Sequence, residues 1–262
     1  MITDIKTLYR GAWAFALACP LLFLIPVVVE FAQHVVEMQL GMYVDAAGVK
    51  QAETDPARLQ FGFVKTLALL LPGYWYTRWI MFDGDARRAA RLEWPASGLW
   101  SVVFVFAASQ TWWALFGPSV TGLAGLDGGL GRYAGYALLV AQQLLGFYLA
   151  AWAVAWALGN AAIGPLLSAR IMHGAILHAF ALWIAGMVPL MVLHYALAIV
   201  AVLWTPTWLD WALMVLDSLV VGYLALTLTG AGVLAARHAS RRRGIDLAGQ
   251  AGIGTLGHRA LA

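Results

Sequence analysis

"YAGYALLVAQQLLGFYLAAWAVAWAL", residues 133–158, contains no Asp, Glu, Lys or Arg, and its only amide side chains are Gln142 and Gln143. Roughly 20 helical residues cross a hydrocarbon layer of about 30 Å. In lipid, every backbone N–H and C=O must find its partner inside the protein, so a continuous apolar run of this length is helical. The stretch reads as a membrane span, and that reading decides the fold class.

Working outward, five further runs have the same character, at about 11–33, 60–81, 98–117, 178–203 and 209–235. Of the 262 residues, 62% are hydrophobic and 11% charged. An ordinary soluble domain carries roughly 45–50% apolar and about 25% charged residues. The expected fold is therefore all-α, a bundle of six transmembrane helices over residues 1–235. A basic, disordered tail is expected over 236–262, because its polybasic run is followed by small residues.

Lys and Arg set the orientation. With the N-terminus inside, the inner ends collect Lys6, Arg10, Arg78, Arg87, Arg88, Arg91, Arg170, Arg237, Arg241, Arg242, Arg243 and Arg259. The outer loops collect Lys50, Arg58 and Arg132, with Lys65 just inside the second span. That asymmetry predicts two cytoplasmic termini. Trp75, Trp79, Trp94 and Trp100 flank inner ends, while Trp112, Trp113, Trp204, Trp208 and Trp211 flank outer ends, a membrane-anchoring pattern rather than a cofactor pocket. Short stretches such as "DGDARRAARLEW" (83–94) precede outward-going spans and predict short interfacial helices on the cytoplasmic side. In that setting Arg87, Arg88 and Arg91, and the tail's Arg241, Arg242 and Arg243, are candidate headgroup contacts.

The net charge of +3 comes from bases at span ends, which points to membrane orientation and away from nucleic acid. The single cysteine, Cys19, excludes an intrachain disulfide and a cysteine metal site. Apolar sequence continues past it to Val29, so the first span is expected to be retained rather than cleaved. No nucleophile elbow, H-E-x-x-H or P-loop is present, and no catalytic residue or cofactor is assigned. "GIGTLG" (252–257) matches the dinucleotide pattern only in letters, since no strand precedes it.

Polar residues inside the spans carry the functional reading, because each is expensive there and faces protein or water. Counted from the outer ends, Lys65, Gln110, Gln142, Gln143, His194 and Asp217 fall in the outer half of the bilayer, and Glu30 ends the first span near the same surface. Glu30, Lys65, Gln110, Gln142, His194 and Asp217 form the candidate polar layer. Three pairings follow: Lys65 with Glu30, Lys65 with Asp217, and His194 with Asp217. Beyond Glu30, the residues Gln33, His34 and Glu37 read as the wet stripe of a helix that has surfaced. Their order, His-x-x-Glu, reverses the Glu-x-x-His of di-metal bundles and has no second copy, so no metal is assigned.

The opening "TLYRGAWAF" (7–15), the six spans and "GPLLSARIMHGAILHAF" (164–180) resemble the YciC-like group of small bacterial inner-membrane proteins. The resemblance implies a six-helix inner-membrane protein and supplies no catalytic residues. Of three function classes, an intramembrane enzyme is the least favoured, since no catalytic constellation is recognisable; the two others stay open at this point. One is transport or handling of a lipid or small molecule through a polar cavity in the outer half of the membrane. The other is a non-catalytic accessory role in which the polar residues pair off and an apolar face receives a partner membrane protein.

Overall fold

The computed structural model describes residues 1–126, 128–204 and 207–249. Among them the chain is all helix, with no strand. In order the helices are α1 (Ile2–Ala18), α2 (Pro20–Gln39), α3 (Ala46–Ala52), α4 (Pro56–Leu70), α5 (Gly73–Met81), α6 (Ala86–Ala90) and α7 (Trp94–Phe116). There follow α8 (Val120–Leu123), α9 (Gly128–Ala157), α10 (Pro165–Met172), α11 (Ile176–Trp204) and α12 (Thr207–Arg242), with a 3₁₀ turn at His173–Ala175.

Five stretches are long and apolar enough to cross a membrane: Pro20–Gln39, Trp94–Phe116, Gly128–Ala157, Pro165–Leu203 and Trp208–Arg242. These are the marks of a multi-pass membrane protein. Two of the six expected runs are built differently from the sequence expectation, and proline is the reason in both. The run expected at 11–33 is cut at Cys19, whose φ of −129° leaves the helical region. A residue before proline is disfavoured there, while Pro20 itself suits the first turn of a new helix. The run expected at 60–81 is divided at Pro72 into α4 and α5, because proline has no N–H to continue the ladder.

The bundle is organised around α12, which packs against α11, α2, α1, α9 and α5. Of its apolar window 72% is buried, against 0% for α7. Close approach depends on small residues. A Cβ on Gly222 would lie 2.5 Å from Val27, and one on Gly230 would lie 2.8 Å from Leu8. The two glycines therefore seat α2 and α1 directly on the α12 backbone. Cross-helix hydrogen bonds fix the register: Thr227 Oγ1 donates to the Gly186 carbonyl at 2.9 Å, and Tyr223 OH to the Tyr9 carbonyl at 2.6 Å.

The expected boundary at 235 moves outward. Helix α12 runs on to Arg242, Ala236 and Ala239 are buried, and Leu247 packs back into the same core. Gly244, with φ of 64°, ends the helix in a left-handed cap in which the Ile245 N–H bonds to the Ser240 carbonyl. So 236–249 is ordered structure rather than a disordered tail. "GIGTLG" and Arg259 lie outside the described residues.

Several expected headgroup arginines also have structural partners. Arg242 Nη1 donates to the Gly174 carbonyl at 3.3 Å, and Arg243 Nε to that of Ile171 at 3.1 Å. Arg88 accepts, through its carbonyl, a 3.2 Å bond from Arg78 and lays its own guanidinium over Phe82. Arg87, Arg91 and Arg241 present exposed side chains. Arg78, read from sequence as a topology charge, is fully buried. It bonds the Ala157 carbonyl at the end of α9 and pairs with Glu93 at 3.1 Å.

Candidate functional site

The expected polar layer divides into two sites. The first gathers charged residues where α2, α4, α11 and α12 meet. Gly222 lets α2 lie against α12, so the polar stripe of α2 faces Asp217 one and a half turns before that glycine. Glu30, Gln33, His34 and Glu37 are 0–4% exposed. They are therefore not a wet stripe on a surfaced helix, as their position past Val29 suggested. They form the inner face of α2.

Two of the three expected pairings are present. Lys65 Nζ lies 3.2 and 3.1 Å from the two Glu30 oxygens. His194 Nδ1 lies 2.8 Å from both oxygens of Asp217, which is fully buried. No hydrogen bond or ion pair joins Lys65 to Asp217 among the described residues, since the ammonium is committed to Glu30.

The residue that unifies the site is His34, which the sequence reading placed outside the layer. Its Nε2 lies 2.9 Å from Asp217 Oδ2 and 3.5 Å from Glu30 Oε1. Its Nδ1 lies 3.0 Å from Glu37 Oε2 and 2.9 Å from Tyr43 OH. Glu37 is held in turn by Arg58 Nε, Gln33 Nε2 and Tyr43 OH, each donating at 2.8 Å. Burial first, then the negative charge of Glu37, raises the pKa of the Tyr43 phenol, so it stays protonated and remains a donor. With the Tyr43 proton and the Arg58 charge both spent on Glu37, His34 Nδ1 takes the remaining place beside that carboxylate. Its Nε2 is thereby aimed at Asp217. Donor atoms from Glu30, His194 and Asp217 all lie within 4.8 Å of one another.

The second site is a groove between the C-terminal half of α7 and the N-terminal half of α9, with a volume of about 600 Å³. Gln110 and Gln142 line it together, the amide of Gln142 reaching the Gln110 oxygen at 3.5 Å. The other walls are apolar, among them Trp113, Ala114, Leu138, Leu139 and Leu145, with Pro118 and Ser119 at one end. Trp113, expected as an interface anchor only, is thus one wall of a groove. Ser119 caps the short helix α8 and orders that end, its hydroxyl lying 2.7 Å from Thr121 Oγ1. Gln143 faces a different space of about 250 Å³ with Phe147 and Trp183. The described cavities are lined by none of Glu30, Lys65, His194 and Asp217.

The chain matches no protein-family model, no curated protein and no solved structure.

Proposed function

We propose that the chain is a bacterial inner-membrane protein that holds one lipid or similar amphiphile in the α7–α9 groove, in the outer half of the bilayer. The observation that carries the reading is the pair of amides on the wall of an otherwise apolar groove. An uncharged amide pair in such surroundings has donors and acceptors to offer a glycerol ester or phosphate oxygen, while Leu138, Leu139 and Leu145 match an acyl chain. Arg132, exposed on α9 one turn before the groove residue Gly135, offers a charge for an anionic headgroup.

The topology that goes with this reading has six crossings and two cytoplasmic termini. Residues 56–81 supply the second crossing as a kinked pair, since α4 and α5 taken end to end reach about 36 Å at 1.5 Å per residue. Twelve inner against three outer basic residues support the orientation.

A second reading, an accessory subunit, is favoured by one observation. The α7 window has no buried residue, and a Cβ on Gly135 or Gly146 of α9 would meet nothing within 4 Å. Small residues on open helix faces are also what partner helices use.

Native mass spectrometry of the detergent-extracted chain separates the two. The lipid reading expects a retained phospholipid-sized adduct that is lost in Gln110→Leu/Gln142→Leu. Retention of a protein partner instead, or an adduct unaffected by that double substitution, would favour the accessory role.

A further inference from the structure

The charged cluster is a different site from the groove, and its donor set has a chemistry of its own. We propose that Glu30, His34, His194 and Asp217 form a binding site for one divalent transition-metal ion, with Zn²⁺ as its representative. Two imidazole nitrogens and two carboxylates are a ligand set that such ions accept, and here they come from three helices, α2, α11 and α12.

Three features support it. The first is convergence. The reactive atoms of Glu30, His194 and Asp217 lie within 4.8 Å of one another, and His34 Nε2 lies 2.9 Å from Asp217 and 3.5 Å from Glu30. A tetrahedron with bonds of about 2.0–2.1 Å has edges of about 3.3 Å, so small side-chain movements close the site.

The second is orientation. His34 turns its Nδ1 to Glu37 at 3.0 Å and its Nε2 to the site, the carboxylate–histidine arrangement in which Nε2 ligates once its proton on Asp217 gives way to the ion. Glu37 is anchored by Arg58, Gln33 and Tyr43, none of which is needed as a ligand.

The third is charge. Arg58 balances Glu37, which leaves Glu30 and Asp217 with a combined charge that one divalent ion neutralises. Glu30 Oε2 is buried and accepts no hydrogen bond of good geometry, its nearest cation being the Lys65 ammonium at 3.1 Å. Lys65 is 23% exposed on a flexible stem, so it acts as a stand-in cation that can swing toward water when the ion enters.

The test uses the full chain in detergent, stripped with a chelator and titrated calorimetrically with Zn²⁺, with melting followed in parallel. One ion per chain should bind and raise the melting temperature. His194→Ala, which removes a partly exposed ligand, should abolish binding. Glu37→Gln, which leaves the four ligands in place but weakens the anchor of His34 along with the contacts of Arg58, Gln33 and Tyr43, should weaken it roughly 10–100-fold. Lys65→Gln should tighten it, because the competing cation is gone, an outcome that a purely structural ion network does not produce. His178→Ala/His238→Ala removes the stacked histidine pair elsewhere in the bundle and should leave binding intact. The proposal is overturned if Zn²⁺ does not bind, if His194→Ala binds normally, if Lys65→Gln binds more weakly, or if the His178/His238 pair accounts for the uptake.

Discussion

Asp217 and Gln142 are both polar residues in the middle of apolar helices, and their surroundings are opposite. Asp217 has no exposed surface and lies within hydrogen-bond distance of two histidines from two other helices. Gln142 is exposed to a groove and meets one weak partner, Gln110, at 3.5 Å. The difference follows from which helices carry them. Helix α12 is the most buried of the apolar helices, with Asp217 on its covered face, so that charge must be paired or it would be prohibitively costly in hydrocarbon. Helices α7 and α9 form one flank of the bundle, and their amides can face a ligand, a lipid or a partner. Closed pairing ties helices together around buried charge; open pairing leaves a groove large enough for an amphiphile.

The comparison predicts a graded series. Asp217→Ala should be the most damaging substitution. It leaves His34 and His194 facing an empty centre, and removing one member of a buried pair costs about 3–5 kcal/mol. Unfolding of the purified chain in mixed micelles measures it, and a loss below about 1 kcal/mol would mean that the cluster is not closed. Gly222→Ala should come next, at about 1–3 kcal/mol, because the added Cβ would force α2 off α12. The same substitution should disturb Glu30 and His34 without touching either.

Arg58→Gln should be milder, about 1 kcal/mol, because Arg58 is a quarter exposed and Gln33 and Tyr43 continue to donate to Glu37. Gln142→Leu should be smallest, about 0.6 kcal/mol or less, the usual worth of one interhelical hydrogen bond in a membrane protein. If Gln142→Leu destabilised as much as Asp217→Ala, the groove would be structural packing and the contrast between the two sites would collapse.

How much of this was legible in the chain follows from how each signal is encoded. The helical membrane class is written in runs such as 133–158, which no tertiary context can reinterpret. The pairings Glu30–Lys65 and His194–Asp217 were legible too, because intramembrane charges demand partners and few were on offer. His34 was missed for a specific reason. Counting a continuous helix from Arg10 places Glu30 at the outer surface, whereas the helix restarts at Pro20. Glu30 is then only about 15 Å along α2, and His34 and Glu37 are still inside the bundle. The signal was present in Cys19–Pro20, a pair whose backbone preferences interrupt a helix.

Arg78 shows the opposite failure. Its position at an expected inner end fits the positive-inside pattern read from the sequence, and nothing local reveals that α6 and the end of α9 close over it. The groove was half legible. Gln110 and Gln142 were recognised as polar positions at one depth, but their separation from the charged cluster depends on α7 and α9 packing beside each other, away from α2. Spacing along a single helix carries no such information.

The central claim is that the groove, and not the charged cluster, is where a lipid is held. Vesicles containing a phospholipid with a photoreactive group on its acyl chain test it most directly, with the adducts mapped by peptide mass spectrometry. The account predicts adducts concentrated on Leu138, Leu139 and Leu145, and lost in Gln110→Leu/Gln142→Leu. Adducts spread evenly over other lipid-facing residues such as Val102, Val192 and Leu193, with no enrichment in the groove, would contradict it.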